Sequence, residues 1–126
     1  MFFAPVTATQ YAACPKPAVA VAPHEPYVTR GPTEIVVGLY VQGGAFDPNC
    51  RRQPPRGPYG GTVVVRGASG AVVARETLRV SGKLFVIHVA PGRYTISTQR
   101  GGFVEPESVT VRAGYTVRRD LFEDVP

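Results

Sequence analysis

Tryptophan is missing from this chain of 126 residues, asparagine occurs only as Asn49, and cysteine only as Cys14 and Cys50. Without tryptophan, stacking on a sugar ring falls to tyrosines, of which Tyr27, Tyr40 and Tyr59 are the candidates. Two cysteines far apart in sequence cannot complete a four-ligand zinc cluster, and they leave room for one disulfide at most. No run of eighteen apolar residues occurs, which excludes a membrane-spanning helix. Helical periodicity is almost absent, which argues against a helical or α/β fold. Lysine is scarce too: only Lys16 and Lys83 join the arginines in a formal net charge of +5.

What the chain has instead is glycine, proline and short β-branched runs. Fourteen glycines and thirteen prolines recur at intervals rather than in one block, the pattern of many short strands joined by tight turns. With 44% hydrophobic and 18% charged residues the composition is globular, and the length suits one domain with one core. Arg30, Arg66, Arg75, Arg79, Arg93, Arg100, Arg112, Arg118 and Arg119 are scattered over nearly every expected strand. A nucleic-acid binder gathers such charge into a patch interleaved with aromatics. The scatter therefore reads as solvated arginines on outward faces, with no specific nucleic-acid partner and weak attraction for anionic surfaces.

Residues 1–33 divide into two parts. "MFFAPVTATQYAAC" lacks the basic start and long apolar stretch of a secretory signal. Its end partly resembles a lipobox, so a remnant of a longer signal with a lipid anchor at Cys14 is one expectation. Residues 15–33 carry five prolines and no sustained alternation, which predicts a stiff extended tether. His24 lies in it with no second ligand at metal spacing and reads as a solvated linker residue.

From Glu34 onward seven strands are predicted, at 34–42, 62–67, 71–80, 83–89, 93–99, 107–113 and 115–123. Ala68-Ser69-Gly70 is the turn of a hairpin. In "KLFVIHV", Phe85, Ile87 and Val89 share the inner face and Leu84, Val86 and His88 the outer one. Pro91-Gly92 is read as a type II turn, with positive φ at the glycine, that folds 93–99 back on 83–89 as a second hairpin. Tyr94, Ile96 and Thr98, then Val109, Val111, Val117 and Leu121, continue the apolar set. The expected fold is an all-β, antiparallel, seven-stranded sandwich behind an extended amino-terminal tether.

Gly61-Thr62-Val63, Gly70, Phe85 and Pro91-Gly92-Arg93-Tyr94 together resemble the carboxypeptidase regulatory-like domains, which have a prealbumin-like (transthyretin-like) sandwich. The resemblance covers residues 34–126, with one extra residue between Gly82 and Phe85. It looks especially like small bacterial envelope proteins that carry a Cys/Pro-rich loop ending in Pro-Tyr, as Cys50 and Pro58-Tyr59 do here. It implies a non-catalytic accessory or binding module outside the cytoplasm, in the cell envelope or secreted, and names no ligand. Transthyretin-like hydrolases of 5-hydroxyisourate end in Tyr-Arg-Gly-Ser, whereas this chain ends "LFEDVP". Isopeptide cross-links of related surface sandwiches need a late-strand asparagine, and Asn49 is not late.

Candidate chemistry is otherwise thin. "GASGA" around Ser69 falls short of a nucleophile elbow and sits in a turn. His88 has no sequence neighbour able to orient it for acid–base work. Glu105, Glu107, Glu123 and Asp124 lack calcium-loop spacing and read as surface acids. No catalytic residue, cofactor or metal site is expected. The best interaction candidate is the loop "CRRQPPRGPYGG", with Arg51, Arg52, Arg56 and Tyr59 among prolines that stiffen the backbone. Cys14 and Cys50 are candidates for a disulfide in an oxidising compartment, or Cys14 for lipidation. The expected function is a structural or binding domain at a bacterial cell envelope, with a protein or an envelope polymer as partner. The alternatives are an interaction subunit of a larger secreted or particle assembly and, more distantly, a carbohydrate-binding module.

Overall fold

Alternation of buried and exposed side chains is clearest at 34–37, 85–88 and 107–111. The computed structural model of the chain describes residues 26–43, 55–99 and 103–125. Among the described residues there is no helix, and there are eleven strands. They are β1 (Tyr27–Arg30), β2 (Glu34–Val37), β3 (Leu39–Gly43), β4 (Gly61–Gly67), β5 (Val72–Leu78), β6 (Phe85–His88), β7 (Gly92–Thr98), β8 (Phe103–Val104), β9 (Glu107–Val111), β10 (Tyr115–Arg118) and β11 (Leu121–Val125).

The difference from seven has a local cause. The run 34–42 breaks at Gly38 into β2 and β3, and the run 115–123 breaks at Arg119-Asp120 into β10 and β11. β1, within the stretch read as a tether, pairs antiparallel with β10, and the short β8 pairs with β11. The two breaks face each other. Arg119 N–H donates to Val36 O at 2.9 Å and Leu121 N–H to Gly38 O at 2.9 Å. Between them the Gly38 N–H finds the Asp120 carboxylate at 2.7 Å instead of a carbonyl. One side chain thus fills the missing rung of the ladder where both strands bend.

The strands form three sheets, ordered β1-β10-β2-β6, β3-β11-β8 and β5-β4-β7-β9. The antiparallel expectation is corrected at two places: β10 pairs parallel with β2, and β11 parallel with β3. Parallel neighbours need a long crossover, and here everything from β4 to β9 lies between them in sequence.

The β4–β5 hairpin is present, closed by Gly70 N–H to Gly67 O at 2.9 Å and Gly67 N–H to Ala71 O at 2.9 Å. The second expected hairpin is not. β6 pairs with β2, whereas β7 pairs with β4 and β9, so Pro91-Gly92 carries the chain from one sheet to another. Gly92 is also not among the glycines with positive φ. It opens β7 opposite Val111, an extended position that no type II turn supplies. The Tyr94 hydroxyl reaches back to donate to Ala90 O, pinning this crossing much as a tyrosine corner does.

The predicted inner faces are correct. Phe85 and Ile87 are 1% and 2% exposed while Val86 between them is 50% exposed. Val89 and Tyr94 pack partly buried against the core, and Ile96, Val109, Val111, Val117 and Leu121 lie within it. The core combines Ile35, Val37 and Leu39 with Val63 and Val65, so side chains of all three sheets meet in one apolar interior. Each such side chain contributes about 1.5–3 kcal/mol through burial, and the arrangement is that of a sandwich.

Candidate functional site

The stretch 83–97 turns its chemistry outward. The His88 side chain is 78% exposed, with Nδ1 3.3 Å from Glu34 Oε2. Sequence reasoning missed this acid because only the β2–β6 register brings Glu34 opposite His88. Among the described residues no third side chain bonds either member, so nothing orients the imidazole for proton transfer. Ser69 sits exposed at the tip of the β4–β5 hairpin, where its Oγ faces the Ala71 N–H at 3.5 Å.

Of the candidate loop, Arg56 and Tyr59 are described, while Arg51, Arg52, Cys14 and Cys50 lie outside the described residues. The end of the loop runs along β3. Arg56 exchanges two backbone hydrogen bonds with Val41, both 2.8 Å, and Tyr59 N–H donates to Leu39 O at 2.8 Å. Gly57, at φ +142°, allows the close approach, since a Cβ there would lie 2.6 Å from Leu39 O. From the other side Gly82 N–H donates to Pro58 O at 2.8 Å, so the loop end and the turn before β6 are tied together. Between them lies an open cleft of about 340 Å³, lined by Arg56, Gly57, Pro58, Tyr59, Ser81 and Gly82. The exposed guanidinium supplies charge and five donors, and the proline and tyrosine supply a stiff apolar floor. The arrangement suits recognition; among the described residues its hydroxyls are those of Tyr59 and Ser81, and no His, Asp or Glu lines it.

The most elaborate polar arrangement went unread in the sequence. At the shared bend, Asp120 is 3% exposed and Tyr40 is 3% exposed. Arg118 Nε donates to Asp120 Oδ2 at 3.1 Å, and Arg118 Nη2 to the Tyr40 hydroxyl at 3.1 Å. The Tyr40 ring stacks on Phe122 with centroids 5.5 Å apart. Burial raises the Asp120 carboxyl above the ordinary carboxylate range, with Arg118 and the Gly38 N–H opposing it. Burial, and then the Asp120 charge, raises the Tyr40 phenol. Asp120 and Tyr40 are closed off from solvent while the Arg118 side chain is 30% exposed, and the cluster holds the bend. Burial also removes Tyr40 from the sugar-stacking candidates, leaving Tyr27, 58% exposed, and Tyr59.

The acidic residues are more involved than surface acids. Glu123 is 5% exposed, and Glu107 of β9 pairs with Arg119 at the β10–β11 bend, joining two sheets. Glu105 is exposed. Among the described residues no three of His, Cys, Asp and Glu converge as metal ligands, and no helix is long and apolar enough to cross a membrane. No protein-family model matches this chain, and no curated protein does.

Proposed function

We propose that the chain is a non-catalytic extracytoplasmic binding or structural domain of the carboxypeptidase regulatory-like, prealbumin-like kind, working at a bacterial cell envelope. The observation that carries this reading is the cleft in which Arg56 and Tyr59 meet Ser81 and Gly82. Both interface anchors, Arg56 and Tyr59, stand on the loop-end side of the cleft, and no His, Asp or Glu lines it among the described residues. The fold part of the reading is supported by strand continuity. With β2–β3 and β10–β11 each taken as one bent run, the described residues from Glu34 onward hold seven runs besides the short β8. The Pro-Gly-Arg-Tyr element supports it too, since Tyr94 fastens the crossing between sheets.

The test is capture of partners from an envelope extract with the full chain as bait, beside an Arg56→Gln/Tyr59→Ala variant. Capture of a defined protein or polymer by the parent chain, reduced at least tenfold in the variant, supports the reading. Equal capture by both moves the site away from the cleft.

A further inference from the structure

Arginines that look scattered in sequence form a line once strand register is imposed. In the sheet β5-β4-β7-β9, Arg75 lies beside Val64, and Arg66 is two residues further along β4. Arg66 lies beside Thr95, and Arg93 is two residues further along β7 in the same direction. Arg93 lies beside Thr110, and the same step beyond the end of β9 falls on Arg112. Each step is one strand across and two residues along, a diagonal of ~7–8 Å between neighbouring side chains. The stripe therefore crosses all four strands on the face turned away from the core, and all four arginines are exposed.

The rest of that face is uncharged. Its other outward register positions carry Thr62, Thr77, Thr95, Ser97, Ser108 and Thr110 around Val64, which is 2% exposed, with Val72 beside Arg66 and no Asp or Glu. Among the described residues none of the four arginines is in an ion pair. Arg66 donates to Gly70 O at 3.2 Å, and Arg75 reaches across β4 to Gln99 Oε1 at 3.0 Å. Arg112 lies over the Tyr115 ring, 5.1 Å from its centroid. These neutral partners orient the guanidinium groups and leave their charge uncompensated.

We infer that this face binds an anionic polysaccharide, its repeating carboxylates or sulfates lying along the arginine stripe and its hydroxyls against the threonines and serines. The inference rests on the reading of the domain as a binding module and supplies the chemistry of its partner. A single-stranded nucleic acid fits less well, because it needs aromatic platforms for its bases. No aromatic ring occupies an outward position on these four strands.

The test measures equilibrium binding of the full chain to immobilised alginate, a polyuronate, with neutral dextran and a single-stranded oligonucleotide as comparators. Two variants remove equal charge: Arg66→Gln on the stripe and Lys83→Gln off it, before β6 of another sheet. Near an anionic surface each exposed basic residue is worth roughly fivefold in affinity, so the stripe variant is expected to lose about fivefold. Its affinity should also fall less steeply with salt, by about one released counterion. The off-stripe variant should change less than about twofold, since screening confines each charge to its neighbourhood. Equal losses in the two variants, equal binding to dextran, or tighter binding to the oligonucleotide would overturn the inference. If alginate binding instead vanishes only in Arg56→Gln/Tyr59→Ala, the inference falls while the binding-module reading stands. If the folded parent chain binds no polymer and captures no envelope partner, both fall.

Discussion

Replacing Gly38 by alanine probes the shared bend most directly. An ideal Cβ on Gly38 would lie 2.6 Å from Asp120 Oδ1, 2.7 Å from Tyr40 Cε2 and 3.0 Å from Leu84 Cδ2. Two of these neighbours are held in place: the Asp120 carboxylate by the Gly38 N–H and Arg118, and the Tyr40 ring by Phe122 and Arg118. Gly38 does not have positive φ, so the alanine itself is not conformationally strained. On backbone entropy alone the substitution would stabilise by about 0.4–1 kcal/mol. Against that stand overpacking, typically about 1–3 kcal/mol, and a weakened hydrogen bond to a charged group, about 1.5–3 kcal/mol. The clash decides the sign, and a net loss of about 3 kcal/mol is expected. For a domain near 100 residues this lowers Tm by roughly 12 °C or more, read by thermal melting at neutral pH. Adding Asp120→Ala removes the nearest clashing atom, so the double variant should lose less than the sum of the singles. A Gly38→Ala protein that melts at or above the parent temperature would refute the account of the bend.

Acidification tests the charge on Asp120. Its carboxyl is raised in the folded state by burial, so between the unfolded value, about 3.9, and the raised value the folded state binds more protons. Stability from this group therefore falls as pH rises through that window and is regained on acidification. Asp120→Asn should lack this component, so the parent should gain on the variant as pH is lowered from 7 toward 4; parallel Tm curves would contradict it. Phe85→Ala should cost about 3–5 kcal/mol in denaturant melts, while Val86→Ala, on the 50% exposed neighbour, should stay within about 0.5 kcal/mol. Similar losses for the two would mean the face assignment of β6 is wrong. Tyr94→Phe removes the bond to Ala90 O and should cost about 1 kcal/mol; an unchanged midpoint would show that the crossing does not depend on it.

Strand positions and faces were legible because they depend on local alternation. A period of two places Phe85 and Ile87 together whatever they pack against, and the same holds for Val109 and Val111. Turn chemistry was legible where a single hairpin used it, at Ala68-Ser69-Gly70. It misled at Pro91-Gly92, because proline and glycine mark a change of direction without stating whether the next strand returns beside its predecessor or leaves for another sheet. The loop ending in Pro58-Tyr59 was readable from composition, but not that Gly82 would close a cleft with it.

Sequence by itself determined the all-β character of the described residues, the seven main runs after Glu34 and the inner faces around Phe85, Ile96 and Val109, since these follow from periodicity and composition; it did not find β1, β8 or the breaks at Gly38 and Arg119-Asp120. Tertiary structure alone decided which strands became neighbours. The Glu34–His88 pair, the Asp120 carboxylate filling a rung beside Gly38, and the arginine stripe over β5, β4, β7 and β9 all depend on register between segments distant in the chain. Register is chosen by how the apolar faces of whole sheets fit together, and no local run of residues contains that information.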